Sequence, residues 1–287
     1  MSDLKEKISV QIHCPVCGKK GTLMVEENII KTSQRGISAI QVAEDLVCPH
    51  SFVSYVDKNL AVRDSFACDF KIVLPDIEVP VQVDDKELKD FDLDIIKLNF
   101  IPTMMIRVLY GIFIGERIAI ISDLEMINDH FIKFLHYVTV GSFNFHVEMI
   151  SSIDYKKSKK RFKDYIVLKS GEIVRDNNDI MIKKNLKVPS VIVHQFFAEM
   201  DNVSSLIILK SNVQKTFTLM KDLMELNTSL KDDEKLSNLM AIKLFQAKYG
   251  TTVGIPYLEM LLYTVEKYHD IKLKKAPEAT NFFGLLK

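Results

Sequence analysis

Tryptophan is absent from the 287 residues, and glycine occurs only ten times. Neither deficit points to a chemistry or to a function. Net charge is also missing, since 38 basic residues balance 38 acidic ones. No global field therefore draws the chain to nucleic acid or to an anionic membrane, and only a local patch could do so. No apolar run is long enough for a bilayer. The most apolar stretch, Ile112 to Ile121, is interrupted by Gly115, Glu116 and Arg117. The opening residues MSDLKEKISV are charged and lack the apolar core of a secretory signal, so a cytoplasmic location is expected. Walker loop, nucleophile elbow and His-Glu zincin helix are all missing, which weighs against an enzyme without excluding one.

Cysteine is scarce but concentrated: Cys14, Cys17, Cys48 and Cys68 all fall within the first 68 residues. In a reducing compartment this pattern favours thiolate ligands over disulfides. Cys14-Pro15-Val16-Cys17-Gly18 has the form of a zinc knuckle, in which a tight turn aims two sulfurs at one ion. Cys48-Pro49-His50 supplies the obvious second pair, giving Cys14, Cys17, Cys48 and His50 as the favoured ligand set for a structural Zn2+. Cys68 and His13 are rivals for the fourth position, and a metal-free pair of reduced cysteines is the plain alternative. Four protein ligands leave no open coordination position, so the expected role is to stabilise a small β unit.

Periodicity divides the chain into an expected zinc-ribbon-like β domain (1–75), an acidic linker (76–100), an α/β domain (101–210) and a helical C-terminal region (211–287). The first should hold short strands at 8–12, 22–30, 36–43, 52–56 and 70–74. The linker carries a net charge of −5. It reads as a solvated connector, helical over 84–98, or else as a docking strip for a basic partner. In the third region the expected order is helix 102–114, buried strand 117–122, helix from 125 to 138, strands 143–150, 165–168 and 171–174, helix 191–200, and a buried strand at Leu206-Ile207-Ile208-Leu209. Helices 212–226, 233–249 and 256–268 follow. The fold class is thus mixed α/β, with a β-rich start and a helical end.

Three further features bear on function. Lys156, Lys157, Lys159, Lys160, Arg161 and Lys163 form a basic cluster between Tyr155 and Tyr165. It reads as a solvated loop between strands, or as a contact for anions, nucleic acid or an acidic protein. Asp123 follows a buried strand, where α/β folds often place functional groups, although a helix cap is the simpler role. His130, His136, His146 and His194 are scattered without ligand or triad spacing. Asn281 to Leu286 forms an apolar patch that either packs back or docks elsewhere as a short motif.

The stretch CPVCGKKGTLMV, with the later CPHSFVSYVDKNLAVRD, resembles the zinc ribbons of uncharacterised archaeal proteins, including Asgard-type ones, over Cys14 to Arg63. The resemblance implies Cys14, Cys17, Cys48 and His50 as ligands and implies no activity. The helix–strand–helix order of 103–138 resembles the central part of DENN domains, which regulate small GTPases. Taken together, these features lead to an expected non-catalytic adaptor or regulator acting through a protein partner, with a small-GTPase connection implied by the second resemblance. The alternative is a nucleic-acid-associated factor that uses the basic 156–163 cluster.

Overall fold

A computed structural model describes residues 7–31, 36–42, 46–48, 50, 52–67, 72, 74–79, 91–181, 186–231 and 234–275. A small β-rich region comes first, then an α/β sheet, then a helical C-terminus, giving a mixed α/β architecture.

The first region begins with a hairpin of β1 (Lys7–His13) and β2 (Lys20–Glu26), paired antiparallel from Lys7↔Glu26 to His13↔Lys20. The expected strand 22–30 stops early, because Glu27–Lys31 form a one-turn helix, α1. A second sheet has the order β3-β4-β5, with β3 (Ile37–Val42), β4 (Phe52–Asp57) and β5 (Val62–Ala67) all antiparallel. Strand β5 was not expected, since VRDSFA lacks a clean apolar alternation. It forms because Asp57 Oδ1 accepts from the backbone N–H groups of Asn59 and Ala61 and closes the β4–β5 turn. The expected strand 70–74 falls largely outside the described residues, and Ile72 and Leu74 belong to no strand.

Strand β4 is buried on both faces, and alternation splits its side chains between two cores. Phe52 and Val56 join Val10, Ile12, Cys14, Val42, Val47 and Cys48 in the small core of the β unit. Val53 and Tyr55 face the other way, into the large core that continues through the helices. The β unit thus shares a strand's width with the rest of the molecule.

Of the stretch expected as an acidic linker, residues 80–90 lie outside the described set. Beyond them α2 (Leu93–Asn99) is capped by Asp92, whose side chain accepts from the Ile95 N–H. Lys97 on this helix is buried; its ammonium donates to the Phe196 and Glu199 carbonyls and to Ser205 Oγ. These carbonyls belong to the end of α6 (Lys187–Ala198) and the residue after it, so a cation sits at the negative end of that helix.

Helix α3 (Pro102–Phe113) is apolar nearly all round and lies within the core, with Pro102 in its first turn. A Cβ on Gly111 would come within 2.5 Å of Ile118 Cδ1, so this glycine lets α3 lie close against the following strand. That strand, β6 (Arg117–Ile121), is the centre of a sheet ordered β7-β6-β8-β9. β7 (His146–Ile150) and β8 (Ile166–Lys169) run parallel to β6, and β9 (Glu172–Arg175) returns antiparallel to β8. Ile118 and Ile120 face α3 and the large core. Ala119 and Ile121 face a small second cluster with Tyr155, Phe162 and Val167.

Helix α4 (Glu125–Thr139) connects β6 to β7, and α5 (Ser152–Ser158) leads from β7 towards β8. The basic cluster is therefore not a plain loop. Its first part is the end of α5, with Ser151 as N-cap, and turns continue from there to residue 164. Leu206 to Leu209, expected as a strand, lie inside α7 (Asn202–Ser229), a 28-residue helix. Asp201 caps it by accepting from the Ser204 N–H. A four-residue apolar run cannot distinguish strand from helix by itself. Here the burial of Ser205, Leu206, Leu209, Val213 and Thr216 follows the helical period. α8 (Asn238–Tyr249) ends at Gly250 with φ +67°, and α9 (Ile255–Tyr268) follows. Tyr257 of α9 hydrogen-bonds Thr216 of α7, and Asp222 of α7 accepts from Lys248 and Tyr249 of α8. The tail 276–287, with its apolar patch, lies outside the described residues.

No single helix among the described residues is long and apolar enough to cross a membrane.

Candidate metal centre

The turn after β1 builds the first half of the site. The Cys14 N–H donates to the Lys19 carbonyl at 2.8 Å, and the Gly18 N–H donates to the Cys14 carbonyl at 2.9 Å. Gly18 takes φ +71°, a conformation that suits glycine and folds the chain back so that Cys14 and Cys17 share one side. The Val16 N–H points at Cys14 Sγ, 3.4 Å away. The second half comes from the segment before β4. Val47 packs onto Gly21 of β2 so closely that a Cβ there would lie 2.7 Å from Val47 Cγ2. That contact presses Cys48 against the β1–β2 hairpin, and His50 Nδ1 stands 3.6 Å from Cys48 Sγ.

The result is that one donor atom each from Cys14, Cys17, Cys48 and His50 lies within 4.8 Å of all the others. In a tetrahedral zinc site with bonds of about 2.3 Å, sulfurs sit about 3.8 Å apart. The spacing fits a metal ion after a small contraction, and three sulfurs with one imidazole form a donor set zinc accepts. Cys14 and Cys48 are buried in the small core, His50 is half-buried and Cys17 is exposed. All three cysteines are free thiols rather than disulfides.

The two buried thiols shift in opposite directions. Burial, with the Cys14 and Cys17 sulfurs beside it, pushes the Cys48 thiol up to about 11. Burial also acts to raise Cys14, but the N–H donors of Cys17 and Val16, together with the Cys48 and Cys17 thiols, hold it below its ordinary value. A dication at the centre stabilises every thiolate around it. The rivals for the fourth position fare differently. His13 is the last residue of β1 and its side chain is exposed, outside the cluster. Cys68 lies outside the described residues.

The other candidate groups do not gather at this centre. Asp123 does not cap α4, whose N-cap is Leu124 with no side-chain bond. Its carboxylate instead accepts from the Ser152 N–H and Oγ, both at 2.7 Å, and so bridges the ends of β6 and β7. Those bonds hold Asp123 below the usual carboxylate range. In the basic cluster, Lys156, Lys157, Lys159, Lys160 and Lys163 are exposed, while Arg161 pairs with Glu148. The neighbouring rings do not stand free for base stacking: Tyr155 and Phe162 are buried, and the Tyr165 hydroxyl donates to Glu148. His130 accepts from the Asp92 N–H, and His136 packs on Phe145. His136 and His146 line an open cleft of about 790 Å3 with Lys133 and Phe91.

Sequence reasoning passed over the residues that join the β unit to the helices. Asp64 of β5 accepts from the Thr103 N–H and hydroxyl and so caps α3 from another element. Tyr55 of β4 hydrogen-bonds His194 of α6 at 2.8 Å, with Phe66 stacked on Tyr55. Nothing local marks Asp64 as a cap, because its helix begins 38 residues later. No family model matches the chain, and neither a curated protein nor a solved structure matches it.

Proposed function

We propose that this protein is a non-catalytic adaptor or regulatory protein containing a structural Zn2+ held by Cys14, Cys17, Cys48 and His50. The observation that carries the metal assignment is the convergence of four donors from two separate turns, with two of the sulfurs inside the small apolar core. Such a set fills every position of a tetrahedral ion, so the metal cross-links the hairpin to the β3–β5 sheet and leaves no place for substrate or water. Cys14 and Cys17 hold one turn, and Cys48 and His50 hold the other. When bound, zinc contributes folding free energy rather than reactivity.

Metal analysis of the purified full chain tests the assignment. One zinc per chain is expected, with stoichiometric loss in Cys14→Ser and His50→Ala. Zinc retained at full occupancy in His50→Ala would assign the fourth position to another residue.

The adaptor role draws support from the closed coordination sphere and the balanced charge, and the resemblance of residues 103–138 to the DENN core makes small GTPases the first partners to test. Binding of the full chain to a panel of small GTPases, nucleotide-free and GDP-bound, is the direct measurement. A uniform absence of binding removes the GTPase connection. The nucleic-acid reading rests on the exposed lysines of 156–163, and the buried rings beside them weaken it.

A further inference from the structure

The carboxyl ends of the parallel strands carry a surface that neither the metal centre nor the adaptor role uses. After β6 the chain exposes Leu124 (53%) and Met126 (84%), and after β7 it exposes Ile153 (64%). The Asp123–Ser152 bridge holds these two loops together, and Leu124 and Ile153 each follow a bridged residue. Side chains this exposed stand out as knobs; residues lining a peptide groove are half-covered already. Ile153 shares a face of α5 with Lys156 and Lys157, three and four residues on, opposite the buried Tyr155. Lys169 pairs with Ile121 at the end of β6, and Lys156 lies on α5 directly after β7, which places both beside the same loops. From Ser151 to Lys169 the chain holds seven basic residues and two acidic ones, so the neutral whole contains a strongly basic part. Of the carboxylates nearby, Asp123 is engaged by Ser152 and Asp154 by the Ser151 hydroxyl, while Glu125, exposed between Leu124 and Met126, is an acidic group that the seven basic residues outweigh.

We propose that the Leu124–Met126–Ile153 knobs, with the α5 lysines beside them, form a docking surface for an anionic lipid bilayer. The apolar side chains enter the headgroup boundary while Lys156, Lys157, Lys160 and Lys169 meet lipid phosphates and carboxylates. A bilayer suits this surface because it accepts protruding apolar groups without a matching pocket, and its charge complements the lysines. Nucleic acid offers the charge but no receptor for the three knobs. The proposal concerns peripheral attachment and is independent of the metal.

The test is co-sedimentation of the full-length, zinc-loaded chain with vesicles of phosphatidylcholine alone or with about 30% phosphatidylserine. Binding is expected to the anionic vesicles, weaker by about tenfold or more on neutral ones, and to fall as salt rises. Met126→Ser with Ile153→Ser, and separately Lys156→Ala with Lys157→Ala and Lys160→Ala, should each reduce partitioning by on the order of tenfold. All five positions are exposed, and an unchanged circular-dichroism melt confirms that each variant folds. No binding of the wild type to anionic vesicles overturns the proposal, as does undiminished binding of either folded variant. Tight, salt-sensitive binding to mixed-sequence RNA that survives the Met126→Ser, Ile153→Ser change, without vesicle binding, assigns the lysines to nucleic acid and overturns it equally.

Discussion

Among the described residues, the small core of the β unit holds 11 buried residues, two of them Cys14 and Cys48 of the candidate metal centre, whereas the core of the body holds 52 buried apolar residues. A core of the first size rarely closes its own free-energy balance, and natural domains of that size use metals or disulfides. The second needs neither. The strand they share, β4, has one face in each. The difference teaches why, if Zn2+ is held as proposed, the cysteines cluster at the start: the smaller core is the part that gains most from a cross-link. The body in return receives a helix cap and a Tyr–His contact from the β3–β5 sheet.

Breaking the metal side should have the largest effect. Cys48→Ser removes a buried donor, and the β unit should lose on the order of 5 kcal/mol or more, enough to unfold it locally. Far-ultraviolet circular dichroism should keep most of its helical signal, because α2 to α9 lie in the body. A complete loss of helicity would show that the two regions fold only as one.

The converse substitution sharpens the contrast. Phe134 of α4 is fully buried in the large core, and Phe134→Ala should destabilise the body by about 3–5 kcal/mol. Chemical denaturation measures it, and zinc content should stay at one per chain wherever the protein remains folded.

Between these lies the joint. Asp64→Ala strips the cap from the Thr103 N–H and hydroxyl, and should cost about 1–2 kcal/mol in thermal or denaturant melts. Zinc stoichiometry should not change, since Asp64 touches no ligand.

The smallest effect is on pH dependence. Burial holds the His194 imidazole below its ordinary value. As pH falls through about 6.5, the unfolded chain takes up a proton before the folded one does, so stability falls on acidification and is restored above that range. His194→Gln keeps a hydrogen-bonding partner for Tyr55 and removes the titration. Its melting temperature should fall less between neutral and mildly acidic pH than that of the wild type. A residual slope is expected from His269, which burial shifts in the same direction.

Much of this organisation was legible in the residues. The Cys-X-X-Cys turn with Gly18 and the Cys48–His50 pair indicated a converging donor set by chemistry alone. The apolar runs at 102–114 and 117–122 gave a buried helix and a central strand because both are long or β-branched enough to be unambiguous. Short signals failed for physical reasons. Leu206 to Leu209 is a run of four, and the helix that contains it is recognisable only from the burial period from Ser205 to Thr216. Strand β5 depends on a turn closed by Asp57 and on pairing with β4, not on its own apolar pattern. Asp123 stands where a cap would, yet Ser152, 29 residues away in sequence, claims its carboxylate. Contacts across such separations leave no local trace.

The most direct measurement is hydrogen–deuterium exchange of the full chain, zinc-loaded and after chelation. The expected result is loss of protection across β1 to β4 on chelation, with α3, α7 and α9 still protected. Equal protection in both states, or equal loss throughout, would contradict the claim that the metal holds the β unit while the body rests on its own core.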